Sequence, residues 1–275
     1  MMFRGFYTAA TGMIAQQRRA EMLTNNLANI NTPGFKADQS SIRAFPEMLL
    51  QQVRRMDAAG GKASASYLSP VGTLNTGAYL QEVAPNFSQG DLQQTDLNTD
   101  IAFWNGSMPV NAEGLSGTVF FVLENPDGGL RYTRNGNFTV DEGGYLTTAS
   151  GHYVLDETGN RIYLGGTDFT VREDGMVEQN GVPVARLGIA FSENPYALVK
   201  RGEGLYEAAE ILPSAYNTAG VSFSVRQGYL ERSNVDAAQT MTELLSTYRN
   251  FEANQKVLQA YDRSMELAAN EIGKV

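Results

Sequence analysis

Cysteine is absent from this 275-residue chain and histidine occurs once, as His152. No cysteine means no disulfide, no thiolate nucleophile and no Cys-based metal site. A single histidine leaves little from which to build a transition-metal centre. Its position inside an expected strand suits a structural or surface role better than that of a catalytic base. Clusters of positive charge are missing too. Arg18–Arg19 and Arg54–Arg55 are only pairs, and the formal net charge is −9. Phosphate binding needs a basic surface, so nucleic acid is set aside as a partner. No apolar run is long enough to span a bilayer, so no membrane insertion is expected. Residues Met1–Ala20 lack the basic and apolar regions of a cleaved secretory signal.

Signatures of chemistry are equally sparse. Gly114-Leu-Ser-Gly117 is one residue short of a nucleophile elbow. Asp96-x-Asn98-x-Asp100 opens like a calcium loop, but Ile101 stands where glycine is required and Ser107 where a bidentate glutamate is required. The double glycines at 128–129, 143–144 and 165–166 have no following Lys-Ser and read as turns. Trp104, the lone tryptophan, reads as core or interface packing. These residues assign no catalytic, cofactor-binding or metal-binding site, and the chain reads as a non-enzyme.

What is present lies mostly at the two ends. Leu244, Phe251, Leu258 and Met265 are spaced by seven, with Met241, Tyr248, Tyr261 and Ala268 beside them. Spacings of three, four and seven place them along one seam of an α-helix. No proline or glycine occurs from Val235 to Glu271, which allows a helix of about 55 Å. Ser233–Asn234 supplies an N-cap candidate. Near the N-terminus Phe6, Met13, Ala20 and Leu27 repeat the same spacing, and Asn31-Thr-Pro-Gly34 ends the helix. Two narrow seams predict pairing with each other, or with other copies, as a coiled coil; the bland alternative packs both helices on the chain's own β domain.

Between the ends lie short alternating segments punctuated by Asn135–Gly136, Asp141–Gly144, Glu157–Asn160, Glu173–Gly175 and Asn180–Gly181. They predict an antiparallel sheet, with a hairpin of 132–134 and 137–140 around Asn135–Gly136. Gly60, Gly61 and Gly72 mark loops, and residues 74–83 are candidates to pair with 205–225. The expected fold is therefore α+β. Residues 1–35 and 228–275 form a coiled-coil-like axial domain of long paired helices, 36–92 and 205–227 a connecting extended or β neck, and 93–204 a mainly antiparallel β domain.

The same terminal segments carry recognisable motifs. They are Ala9-Ala-Thr-Gly-Met13, Arg19, Asn25-Asn26-Leu-Ala-Asn29, Asn31-Thr32 and Gly34-Phe35-Lys36 at one end. At the other stand Gly228-Tyr-Leu-Glu231, Ser233-Asn234-Val235-Asp236, Tyr248-Arg249, Phe251-Glu-Ala-Asn254, Lys256 and Asp262. Asp100-Ile-Ala102, Phe120-Phe121, Asp127-Gly128 and Tyr132-Thr-Arg134-x-Gly136-x-Phe138 lie between them in matching order. The whole chain resembles the flagellar basal-body rod and hook proteins, with the distal- and proximal-rod types the nearest match. Phe103–Thr118 is longer than the family pattern at that point.

The resemblance implies an axial structural subunit of the bacterial flagellar basal body, exported by the flagellar type III gate without a cleaved signal. Its expected partners are copies of itself, other rod and hook axial proteins and the export apparatus, with peptidoglycan or ring proteins as outer candidates. The helix residues above would make the self-assembly surface. The asparagines would hold the end of the first helix. Two rival readings are a hook-cap or hook–filament junction protein, and a secreted wall-hydrolysing β-domain enzyme with helical dimerisation ends.

Overall fold

The computed structural model describes residues 2–57, 64–111, 114–126 and 128–272, with side chains over 5–52, 68–111, 114–126 and 128–271. Gly60, Gly61 and Asp127 lie outside the described residues, as do the side chains of Arg54 and Arg55. The chain divides into two compact units, residues 1–25, 39–83 and 238–275 in one, 26–38 and 84–237 in the other.

The first unit is built on helices α1 (Met2–Ala28) and α2 (Ala237–Ile272). An uninterrupted run of helix formers without proline or glycine carries α2 through 36 residues. Helix α1 stops five residues short of Pro33, in turns at Asn29–Ile30. The same unit contains a strand pair, Asp38–Ala44 with Ala78–Pro85, and a hairpin, Met48–Asp57 with Ser64–Leu74, paired from Met48↔Leu74 to Asp57↔Ser64. Residues 78–85 thus pair with 38–44, not with 205–225.

The coiled-coil-like pairing expected of the termini does not form. The described residues contain two α-helices and a large antiparallel β region, with no long coiled coil. Contacts between α1 and α2 include small and polar groups. Gly5 abuts the Tyr261 hydroxyl, Gly12 faces Asn254, and Arg19 reaches Glu243 at 3.2 Å. Among the described residues of α2, Thr240 and Thr247 are the buried ones. Knobs-into-holes packing pairs bulky apolar knobs with facing holes; the Gly12–Asn254 contact, the Arg19–Glu243 pair and the buried threonines do not follow that pattern. Among the seam residues Ala20 is buried; Met13, Leu27, Leu244, Phe251, Leu258, Tyr261 and Met265 are half-buried; Phe6 and Tyr248 are exposed.

The second unit is an antiparallel β structure organised around Thr118–Glu124. That strand pairs with Leu130–Thr133, Tyr153–Val154 and Ile189–Ser192 in an eight-stranded sheet. Its period of two sends Val119, Phe121 and Leu123 into the main core with Ile101, Phe138, Leu146 and Ile189. Phe120 points the other way, into a second core with Phe87, Tyr132, Leu198 and Tyr206. Burial on both faces explains a run with almost no polar alternation.

The Asn135–Gly136 hairpin does not form either. Leu130–Thr133 pairs with Thr118–Glu124 and Leu205–Glu207, while Phe138–Val140 pairs with Leu146–Thr148 across the Asp141–Gly144 turn. Ile101 N–H donates to Gly136 O, so this segment packs against another strand instead of closing a ladder.

Candidate functional site

The β unit holds one cluster of fully buried charge. Lys36 follows α1 through the turn at Asn31–Gly34, Arg134 follows the strand Leu130–Thr133, and Glu231 ends the strand Tyr229–Glu231 before α2. Lys36 Nζ donates to Glu231 Oε1 at 2.6 Å and to Ser88 O at 2.8 Å. Arg134 Nε and Nη2 donate to Glu231 Oε2 at 3.0 and 2.7 Å, a two-pronged guanidinium contact of the strong kind. Its Nη1 donates to Val119 O, and its Cζ lies 5.0 Å from the Phe103 ring centre. Gly90 N–H fills the remaining side of Oε1 at 3.0 Å. The three charged side chains are at most 1% exposed.

Backbone geometry closes the cluster. Gly34 N–H donates to Glu231 O at 2.7 Å. Its φ of +68° and its position, with a Cβ falling 2.5 Å from Arg134 C, admit only glycine. Asn234 Nδ2 donates to Asn86 O and Ser88 O, and its Oδ1 accepts from Ala37 N–H at 2.7 Å. Asn26 exchanges two bonds with the backbone of Asp38, at 2.8 and 2.9 Å, acting as a surrogate strand partner. Lys200 pairs with the Asp38 carboxylate and covers the Phe35 ring at 4.2 Å.

Electrostatics follow from two cations sharing one anion. Burial and the neighbouring Arg134 push the Lys36 ammonium down to about 8, against the pull of Glu231. Burial alone would raise the Glu231 carboxyl. Arg134, Lys36 and the Gly90 N–H overcome it and hold the group below the usual carboxylate range. Ion pairing and hydrogen bonding satisfy every arm of the cluster, an arrangement suited to holding chain segments together.

The motif residues gather around this clasp. Asn26, Gly34, Phe35 and Val235 are buried; Asn29, Thr32, Ser233 and Asn234 are half-buried. Thr32 Oγ1 donates to Asn29 Oδ1, and Ser233 Oγ accepts from Val235 N–H. Asn25 is exposed, and Asn254 belongs to α2 beside Gly12. Ser233 and Asn234 do not cap α2, which begins at Ala237. Lys36, Arg134 and Glu231 each stand inside a separate sequence motif, and only the fold makes them one site. The available signal was a charged residue in each of three motifs, but nothing local says that they meet. Among the described residues no cluster of His, Cys, Asp or Glu could hold a metal ion, and no helix is long and apolar enough to cross a membrane.

Comparison with known proteins gives the same three regions. A flagella basal body rod protein model matches residues 6–36, a flagellar hook protein FlgE/F/G D1 domain model residues 114–179, and a flagellar basal body rod FlgEFG protein C-terminal model residues 226–271. The flagellar hook-basal body complex protein FlhO of Bacillus subtilis is 44% identical over 277 residues, covering 100% of both chains. The flagellar basal-body rod protein FlgG of Borreliella burgdorferi is 32% identical over 98% of each chain, and FlgF of Caulobacter vibrioides 27% over 100% of each. Likeness along the full length, with Lys36, Arg134 and Glu231 each inside one of the three matched regions, means that this chain belongs to the flagellar basal-body rod and hook protein family.

Proposed function

We infer that this chain, a structural protein of the flagellar basal body, assembles by adding its two helices to those of neighbouring axial subunits. The observation that carries this reading is the unburied apolar surface of those helices. Met241, Leu245, Tyr248, Val257 and Leu267 of α2 are each between 44% and 54% exposed, and Phe6 and Ile14 of α1 are 36% and 49% exposed. A helix in water gains most of its stability by burying such a face, so these residues call for neighbours. Head-to-tail contacts that do not close on themselves generate a helical axis. The partners are copies of this chain and other rod and hook proteins. Delivery through the flagellar export apparatus, and outer contacts with peptidoglycan or ring proteins, complete the reading. No observation favours a wall-hydrolysing enzyme or a hook cap over this subunit role.

The test is electron microscopy of basal bodies purified from a strain lacking the chain. The axis is expected to stop within the rod. An intact rod and hook, with the defect confined to the filament junction, would refute the assignment.

A further inference from the structure

Glu231 and its neighbours tie together three segments far apart in the chain, 34–38, 86–91 and 228–236. Gly34 N–H bonds to Glu231 O, Gly90 N–H to Glu231 Oε1, Arg232 N–H to Asp91 O and Ala37 N–H to Asn234 Oδ1. Asn86 N–H bonds in turn to Ala37 O, and Leu92–Gln94 pairs with Tyr229–Glu231. All of these ties but the Asn86–Ala37 bond pass through 228–236, and among the described residues only that bond and the one from Lys36 Nζ to Ser88 O join 34–38 to 86–91 directly. Glu231 also carries the one carboxylate that Lys36 and Arg134 share. Remove it, and two buried cations face each other across a few ångströms with no counter-charge. Burial of an unpaired charge is far costlier than burial of a pair. Lys36 would have to give up its proton or, like Arg134, turn toward water, which loosens residues 34–38 and the Gln89–Gly90 segment.

We propose that Glu231 is a latch: the β unit closes around the N-terminal motif only when residues 228–236 dock, and their release opens 34–38 and 86–91 in the same step. The N-terminal motif and Arg134 precede the latch in the chain by 195 and 97 residues. A chain whose C-terminal motif has not yet docked therefore holds the unit open, whatever else has folded. Both terminal motifs are then parts of one closing device, in addition to flanking the assembly helices.

Hydrogen exchange on the full-length chain tests the latch. The amides of Gly34, Ala37, Gly90 and Arg232 are expected to share one opening in the wild type, with equal sensitivity to denaturant. Glu231→Gln should speed exchange at all four by about a hundredfold or more. Asn234→Ala leaves Glu231 in place and is the milder change. It should speed Gly34 and Gly90 about tenfold, although Asn234 bonds to neither amide. If Asn234→Ala releases Ala37 alone, or if Gly34 and Gly90 stay protected in Glu231→Gln, there is no latch. Should Glu231→Gln fail to fold, the Asn234→Ala result and the wild-type opening still decide between the outcomes.

Discussion

At the scale of single residues, Lys36 and Gly34 carry the sharpest consequences. The folded state lowers the Lys36 ammonium to about 8 from 10.5. Between those values the unfolded chain holds more protons than the folded one, so stability rises with pH. Three phenols act in the opposite sense. Burial raises Tyr132, Tyr206 and Tyr216 above 10, so the folded state keeps protons that the unfolded state loses, and stability falls above about pH 10. Denaturant unfolding should therefore show stability climbing from about pH 8 to about pH 10 and declining beyond. In Lys36→Met the climb should vanish while the decline remains. On the acid side the Glu231 carboxyl is held low, so its contribution is whole above 4.5 and lost as pH falls through its folded value. Gly34→Ala meets both a left-handed φ and backbone atoms of Arg134 that cannot move aside. A loss of about 2–4 kcal/mol is expected from chemical denaturation, while Gly114→Ala, at an equally left-handed but open position, should cost about 1 kcal/mol.

At the scale of elements, α2 separates stability from assembly. Leu245 and Val257 are 53% and 44% exposed. Leu245→Asp combined with Val257→Asp should shift the unfolding free energy of the isolated chain by no more than about 1 kcal/mol, since exposed substitutions are individually mild. The same variant should be missing from purified basal bodies and should abolish swimming. Unimpaired incorporation would show that assembly uses another surface. The helices themselves were legible because a 3.6-residue period and the lack of breakers are local properties. Leu244, Phe251, Leu258 and Met265 do lie on the half-buried stripe of α2. Which residues alternate with them there was not legible. Thr240, Thr247 and Asn254 occupy the intervening places, whereas Met241 and Tyr248 are exposed. Apolarity was a poor guide because the facing positions of α1 include Gly5 and Gly12, which accept polar partners at close range. The Asn135–Gly136 turn misled for a related reason. Turn chemistry records local preference, but Arg134 is committed to Glu231, 97 residues away.

At the scale of the whole molecule, the boundary between the two compact units defines a truncation experiment. Removing residues 238–275 leaves Glu231, Asn234 and Val235 in place, so the unit of 26–38 and 84–237 should keep its near-ultraviolet circular dichroism and a cooperative unfolding transition. Removing 228–275 takes the latch away and should abolish both. Neither truncation should enter the rod, because both lack α2. Retained cooperativity in the shorter chain would mean that the clasp follows folding instead of completing it. The hairpin Met48–Asp57 with Ser64–Leu74 shows what was not legible in the extended region between the helices. Gly72 reads as a loop mark, yet it lies within a strand opposite Leu50, and no local signal gives the ladder from Met48↔Leu74 to Asp57↔Ser64.

The sequence by itself determined the two helices, most of the β turns, the absence of thiol chemistry, and the family. Each depends on residue type and short spacing, or on motifs that survive as strings of letters. Tertiary structure alone decided the partners: which strands pair, which face of α2 is buried, and that Lys36, Arg134 and Glu231 share one site. The last of these depends on contacts across 97 and 195 residues. There the cost of burying charge, not local propensity, selects the arrangement in which two cations meet one carboxylate.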